Sequence, residues 1–132
     1  MSDIIKKDDA AAMLRLLHRK DGSDLPQPFE RDIFLFDSYI AGTSHVEGIE
    51  ELEPQLQIGE KLSFFREPDN EYDDKAIVVK TSDGKKLGYV PRRDNAVFAR
   101  LMDAGKLLFG KITKKEIFGN WRGIYIDIYL HE

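Results

Sequence analysis

Three absences narrow what this chain of 132 residues does. It has no cysteine, which excludes disulfide bonds and thiolate-bound metal ions. It has no apolar run long enough to span a bilayer, and no apolar stretch follows the charges of MSDIIKKDDA, so we expect a soluble, cytoplasmic protein. It also lacks an excess of positive charge, with 20 Lys and Arg against 24 Asp and Glu, which argues against a protein that coats duplex DNA.

The length and the hydrophobic content of 42% predict a single small core. Residues 1–30 are predicted to form a helical leader and a linker, and residues 31–132 the folded domain. A helix is predicted at 8–20, capped by Asp8 or Asp9, and the linker after it contains two prolines. The apolar residues of this helix are expected to dock on the domain or on a second copy of the chain; they are Met13, Leu14, Leu16 and Leu17.

From residue 33 onward the apolar residues alternate with period two, which predicts β-strands. We predict strands at 33–41, 61–66, 76–81, 86–90, 107–118 and 121–130. Asp94 is predicted to cap a helix that ends at Gly105, and a helical turn near 49–56 is predicted to break at Pro54. The pattern predicts a mainly β fold with short helices, a partly open six-stranded barrel of OB type, preceded by the leader helix.

A polar loop at 67–74 lies between two predicted strands, which would hold it rigid. Pro68 fixes its own φ and keeps the preceding residue extended, so the loop starts in a defined direction. Asn70 and Asp73 have short side chains that bond readily to nearby backbone or to a ligand. Tyr72 adds a stacking face beside these acceptors. The loop is therefore the place in the chain where a binding function is predicted.

The loop sequence, Glu-Pro-x-Asn-x-Tyr-Asp, is followed by Ala76-Ile77 and later by Gly-Tyr-Val-Pro-Arg at 88–92. With these motifs the region 33–131 resembles the HIRAN domain, a β-barrel related to the OB-fold that occurs on helicase-like remodelling proteins and as stand-alone bacterial proteins. The resemblance implies a non-catalytic module that binds single-stranded DNA, particularly a free 3′ end, in DNA repair or replication.

The resemblance also implies roles for individual residues. Asn70, Tyr72 and Asp73 match the family loop, in which the ring stacks on the terminal base and the carboxylate accepts a hydrogen bond from the 3′ hydroxyl. Tyr89 matches a position beside the pocket, and Arg92 matches a basic position that faces a phosphate. A free 3′ hydroxyl is a donor that an internal phosphodiester lacks, so an ionised aspartate would favour an end.

Three further residues are weaker candidates. Phe118, at the tip of the last hairpin, is a second stacking surface or an ordinary hairpin aromatic. Ser44 and His45 occupy positions where one branch of the family has a basic residue and aromatics, and neither replaces a fixed positive charge at pH 7. Binding is therefore expected to be weak and sensitive to salt, with each base stack contributing about 1–3 kcal/mol.

Parts of the sequence also suggest two other functions. Pro68-Asp69 with Asp73-Asp74-Lys75 imitates metal-dependent nucleases, but such sites need carboxylates that converge from neighbouring strands, and these lie in one short loop. The three histidines lack the spacing of a zinc site, so no metal, cofactor or catalysis is expected. The alternative function is a protein-interaction module without DNA affinity. For the DNA-binding function, single-stranded DNA and a helicase or nuclease acting in trans are the expected partners.

Overall fold

The computed structural model describes residues 31–132, so the predicted leader at 1–30 lies outside the described residues. Six strands occur in the described part, and each overlaps a predicted strand with ends that differ by at most about two residues. They are β1 Asp32–Tyr39, β2 Lys61–Arg66, β3 Ile77–Lys80, β4 Lys86–Tyr89, β5 Leu107–Phe118 and β6 Trp121–His131. Two α-helices, α1 Ile49–Leu52 and α2 Arg92–Asp103, and two 3₁₀ segments, Thr43–His45 and Glu53–Gln55, complete the order.

The strands form one antiparallel sheet in the order β1-β6-β5-β2-β3-β4. The sheet curls until the chain just after β1 meets β4 through a single bridge, in which Ala41 N donates to Tyr89 O at 2.7 Å and Tyr89 N donates to Ala41 O at 2.9 Å. We refer to this junction of Ala41 and Tyr89 as the seam. The predicted partly open barrel is confirmed.

The core lies inside the curl of the sheet. Ile124, Ile126 and Ile128 alternate along β6 and are each fully buried, as their spacing predicted. They pack with buried residues from β2, β3, β4 and β5, including Leu62, Ile77, Val79, Leu87 and Ile112. Because the period of two puts every second side chain inward, the intervening residues of β6 are left for the outer face.

The start of α2 corrects the prediction that Asp94 caps this helix. Pro91 is the N-cap, with φ −54° and ψ 138°, and the helix begins at Arg92. Proline has no N–H to satisfy and its fixed φ suits a helix start, so the chain turns helical earlier than Asp94. Asp94 lies instead in the first turn, where its negative charge suits the helix dipole.

The end of α2 agrees with the prediction. Gly105 has φ 92° and its N–H donates to Met102 O at 2.9 Å, while Lys106 N donates to Leu101 O at 2.9 Å. This pair of bonds is the Schellman arrangement, which requires a left-handed residue after the helix and therefore favours glycine.

The connection between β1 and β2 contains more helix than predicted. Pro54 was predicted to interrupt one helical turn, but it lies in the first turn of the 3₁₀ segment that follows α1. A proline is tolerated there because the first N–H groups of a helix have no partner within the helix. Glu53 in this segment is buried, with Lys115 Nζ 3.3 Å from its Oε2 and Arg122 Nη1 3.6 Å from its Oε1. Lys115 Nζ also donates to the carbonyls of Glu53 and Leu56. These ionic contacts tie the connection to the β5-β6 hairpin.

Candidate nucleic-acid interface

The seam depends on a close approach of two backbones. A Cβ on Gly88 would lie 2.3 Å from Ala41 O and 2.7 Å from Ile40 Cγ2, and Gly88 has φ 152°. Only glycine permits both the conformation and the contact. The glycine of the Gly-Tyr-Val-Pro-Arg motif therefore brings the end of β1 against β4, one residue before Tyr89.

The polar loop is organised by Asn70. Its Oδ1 accepts hydrogen bonds from the backbone N–H groups of Tyr72 at 2.9 Å and Asp73 at 3.1 Å, and its Nδ2 donates to Glu67 Oε1 at 3.0 Å. The oxygen and the NH₂ group of the asparagine side chain thus both have hydrogen-bond partners within the loop. Asn70 therefore fixes the shape of the loop and the positions of Tyr72 and Asp73.

The carboxylate of Asp73 is held between three partners. Oδ2 accepts from Asn95 Nδ2 at 2.8 Å, Oδ1 accepts from Lys75 N at 2.9 Å, and Arg92 Nε lies 3.7 Å from Oδ2. The side chain is 19% exposed. The hydrogen bond from Asn95, then that from the Lys75 N–H and the charge of Arg92, lower the pKa of Asp73 below its ordinary value. It is therefore ionised at neutral pH with acceptor capacity left over.

Tyr72 and Arg92 stand at the open side of the loop. The Tyr72 residue is 77% exposed, so most of its surface is open to solvent. The Arg92 side chain is 74% exposed, and one of its Nη atoms donates to Tyr72 O. An exposed ring and an exposed guanidinium, joined through the backbone, offer a stacking surface next to an anion site.

Tyr89, at the end of β4, is the next residue of the site. Its hydroxyl donates to Glu67 Oε1 at 2.8 Å, and Lys86 Nζ lies 3.1 Å from that hydroxyl and 4.6 Å from the ring centroid. Hydrogen bonds from Asn70 and then Tyr89, with the charge of Lys86, lower the pKa of Glu67. Glu67 therefore connects the loop to β4 as an ionised acceptor shared by Asn70 and Tyr89.

These residues surround a cavity of about 240 Å³ at the seam, which we name the end pocket. Ala41, Gly42 and Asn95 line it together with five of the predicted site residues, which are Asn70, Tyr72, Asp73, Tyr89 and Arg92. The structure thus brings together residues from the loop, from β4 and from the start of α2.

The other three predicted residues do not line the end pocket. Ser44 and His45 are exposed in the 3₁₀ segment that follows Gly42, and His45 faces a neighbouring cleft. Phe118 is 62% exposed at the hairpin tip and stacks on Trp121 with ring centroids 5.9 Å apart. A ring at that tip can meet a ligand only beyond the pocket.

The sequence reasoning missed two residues of the site. Asn95 is buried and bonds Asp73 from α2, and Glu67 links Asn70 to Tyr89. An amide three residues after Arg92, on the first turn of a predicted helix, was the available signal for Asn95. The pairing of Glu67 with a tyrosine 22 positions away had no local signal.

Within residues 31–132 no group of three or more His, Asp and Glu side chains is placed to hold a metal ion. In the same described region, none of the helices has the length and apolar character that crossing a membrane requires.

The lowered pKa of Asp73 predicts a pH-dependent contribution to stability. Because the pKa is lower in the folded state, the stabilisation is present above the unfolded pKa of about 3.9 and is lost as pH falls through the folded pKa. We expect Asp73→Asn to be less stable than the wild type at neutral pH, and the gap to narrow as pH falls below about 4. Urea unfolding of both proteins across this range measures it; a gap that is constant with pH would contradict the assignment.

Comparisons with known proteins identify the family and the fold. The model of the HIRAN domain family matches residues 33–131. The crystal structure of a Lactobacillus plantarum protein, northeast structural genomics consortium target LpR91B, is similar with a TM-score of 0.73 and 30% identity, covering 78% of this chain and 98% of that one. No curated protein sequence matches the chain.

Two structures of the HIRAN domain of human HLTF share the fold. The crystal structure has a TM-score of 0.56 at 18% identity, covering 76% of this chain and 81% of that one. The NMR structure of the HLTF domain has a TM-score of 0.51 at 17% identity, with 76% and 80% covered.

Proposed function

Because this chain belongs to the HIRAN domain family, we propose that it is a non-catalytic DNA-binding module that captures the free 3′ end of a single strand in the end pocket. Family membership supports DNA binding in general. The finer proposal, an end and its 3′ hydroxyl, rests on the residues around the pocket.

One observation carries the proposal: an ionised carboxylate, an exposed ring and an exposed guanidinium border the same small cavity. Asp73, Tyr72 and Arg92 all line the end pocket. At about 240 Å³ it is smaller than the ~300–1,000 Å³ of sites for drug-sized ligands. A cavity of this size suits one terminal nucleoside, whose base would stack on Tyr72.

The chemistry of Asp73 supports selection of a hydroxyl end. Two of its acceptor positions are taken by Asn95 and Lys75, and a carboxylate has about four. The remaining capacity can accept a hydrogen bond from a 3′ hydroxyl. A 3′ phosphate brings only acceptors and negative charge, so the same carboxylate repels it. We assign to Arg92, whose exposed guanidinium lines the same pocket, the role of neutralising the phosphate that joins the terminal nucleotide to the next.

The cellular setting extends the proposal. We place the protein in the cytoplasm, in DNA repair or replication, where a captured 3′ end is handed to a helicase or nuclease acting in trans. The described fold contributes recognition of the end, and the partner contributes catalysis.

The experiment compares matched oligonucleotides that end in a 3′ hydroxyl or a 3′ phosphate, with affinity measured by fluorescence anisotropy. The wild type is expected to prefer the hydroxyl by about tenfold or more, which corresponds to about 1.4 kcal/mol. Asp73→Asn is expected to lose most of this preference, because the amide no longer repels phosphate. Tyr72→Ala should weaken both ligands by about 5- to 150-fold, the equivalent of one base stack of ~1–3 kcal/mol.

Asp69→Asn is the matched control for this experiment. Asp69 is an exposed carboxylate of the same loop that does not line the end pocket. Its replacement changes the net charge equally and should leave the hydroxyl preference intact. Equal affinity of the wild type for both ends, or equal effects of the Asp69 and Asp73 changes, would contradict capture of the 3′ hydroxyl.

A protein-interaction module is the second candidate. Ile117 and Phe118 are more than half exposed at the hairpin tip, beside the stacked Trp121, and apolar groups of this kind suit a protein partner. This second function is favoured if the protein binds no oligonucleotide, or if it binds one with an affinity that the double change Tyr72→Ala, Asp73→Ala does not alter.

A further inference from the structure

A second cavity lies beside the end pocket. It occupies about 500 Å³ between the segment that follows β1 and the turn that precedes β4. Lys85 and Lys86 lie on the turn side, and His45, Glu47 and Glu51 lie on the opposite side. We name it the lysine cleft. It is about twice the volume of the end pocket, and nothing in the proposed capture of a single terminal nucleoside uses it.

From this arrangement we infer that the lysine cleft is a nucleotide-binding subsite, in which Lys85 and Lys86 contact backbone phosphates upstream of the captured 3′ end. The inference rests on the proposed function and adds the path and charge of the rest of the strand.

The two cavities adjoin at both sides of the seam. Gly42 lines the end pocket, and the 3₁₀ segment that starts at the next residue ends at His45, which lines the lysine cleft. On the other side Tyr89 lines the end pocket, while Lys86 lines the cleft with its Nζ 3.1 Å from the Tyr89 hydroxyl. A strand that leaves the end pocket past Tyr89 therefore meets the lysines next.

The positive charges of this cleft are available to a ligand. Lys85 Nζ is 3.9 Å from Asp83 Oδ2, and both side chains are more than half exposed, so this pair is weak. In the described part of the chain Lys86 contacts the hydroxyl and ring of Tyr89 rather than a carboxylate within ion-pair distance. Phosphate oxygens are strong acceptors that can replace these weak contacts.

The opposite wall sets the orientation of the strand. Glu47 and Glu51 are exposed and negatively charged, so they disfavour phosphates on their side. The backbone is thereby kept to the lysine side, and the bases face His45 and the glutamates. This placement also supplies positive charge that the exposed Ser44 cannot provide.

Ligand length separates this subsite from the end pocket. We would titrate the ¹⁵N-labelled protein of 132 residues with two oligothymidylates that end in a 3′ hydroxyl, one a dinucleotide and the other a hexanucleotide, and follow amide shifts by NMR. Lys85→Gln alone is expected to weaken binding of the hexanucleotide about two- to fivefold and to leave that of the dinucleotide nearly unchanged, because Lys85 lines the cleft and not the end pocket. The double change Lys85→Gln, Lys86→Gln is expected to weaken hexanucleotide binding about five- to tenfold, and its effect on the dinucleotide reports the contact of Lys86 with Tyr89. The salt slope for the hexanucleotide should fall by about 0.7 for each phosphate that the variant no longer neutralises.

The matched control removes two positive charges elsewhere. Arg100 and Lys106 are exposed near the end of α2 and line neither cavity. Arg100→Gln, Lys106→Gln should leave both affinities as in the wild type. The spectra also show directly whether each variant is folded.

The outcomes distinguish the two proposals. If the wild type binds neither oligonucleotide, the proposed function fails. If it binds the dinucleotide but Lys85→Gln leaves hexanucleotide affinity and salt slope unaltered, or weakens both lengths equally, the subsite is overturned while end capture stands. Shifts of the Lys85, Lys86 and His45 amides with the hexanucleotide but not the dinucleotide would support the subsite.

Discussion

Replacing Gly88 by alanine is expected to destabilise the fold by about 2–6 kcal/mol, because the new methyl group and the backbone strain act together. The added Cβ would meet the Ala41 carbonyl oxygen at 2.3 Å, a backbone atom that cannot rotate away. Relief requires the end of β1 to move off β4, which opens the seam. The midpoint of urea unfolding measures the loss, against a total stability of about 5–15 kcal/mol for a typical domain.

Gly84→Ala is the matched control for this change. Gly84 also has a positive φ, 89°, but a Cβ there would meet nothing within 4 Å. It should cost only the ~1–2 kcal/mol of a left-handed residue. Since the seam supports the end pocket, Gly88→Ala should also abolish oligonucleotide binding even where the protein remains folded. Equal unfolding midpoints for the two variants would show that the backbone contact is unimportant.

The second large effect on stability is expected for the replacement of Glu53 by alanine. Glu53 is buried with Lys115 and Arg122 near its two carboxylate oxygens, and both of those side chains are only about a fifth exposed. Removing the carboxylate leaves two partly buried positive charges uncompensated. Loss of one partner from a buried ionic cluster costs about 3–5 kcal/mol, which we expect as the change in the free energy of unfolding in urea.

Two further variants test the cause of that loss. Glu50→Ala removes an exposed glutamate of the neighbouring α1 and should change stability by less than about 0.5 kcal/mol. Replacing both Glu53 and Arg122 with methionine should be less destabilising than Glu53→Met alone, because it removes the charge that faces the lost carboxylate while Lys115 keeps its two carbonyl partners. If the double variant is the less stable of the two, lost packing rather than uncompensated charge is responsible.

The strands could be predicted because burial on one face imposes a period of two. Ile124, Ile126 and Ile128 show it without interruption, and all three are fully buried. The predicted start of α2 was wrong because the polar Asp94 was taken as the N-cap, whereas the N-cap is Pro91. The short helical segments between β1 and β2 are held partly by distant contacts, such as Thr43 Oγ1 donating to Arg122 O at 2.8 Å, so no local pattern predicted them fully.

The site was predictable where it lies in one continuous motif. Asn70, Tyr72 and Asp73 are within four positions of each other, and their grouping follows from the loop sequence. Asn95 was missed because its contact with Asp73 is made only when α2 packs beside the loop. The lysine cleft was missed for the same reason, since it forms between segments that are about 30 to 40 residues apart. The roles of the pocket residues in binding DNA stay predictions.

The seam joins β4 to the chain after β1 through a single bridge, and this incomplete closure has a consequence for association with other molecules. A sheet that does not close leaves an outer strand whose backbone groups are available for pairing with another molecule, which is a route to aggregation. One of the two outer strands, β4, is only four residues long; Lys85 precedes it and Lys86 is its first residue. A short border strand with positive charge disfavours pairing with the same strand of a second copy, so the lysines that we assign to DNA also protect this edge of the sheet.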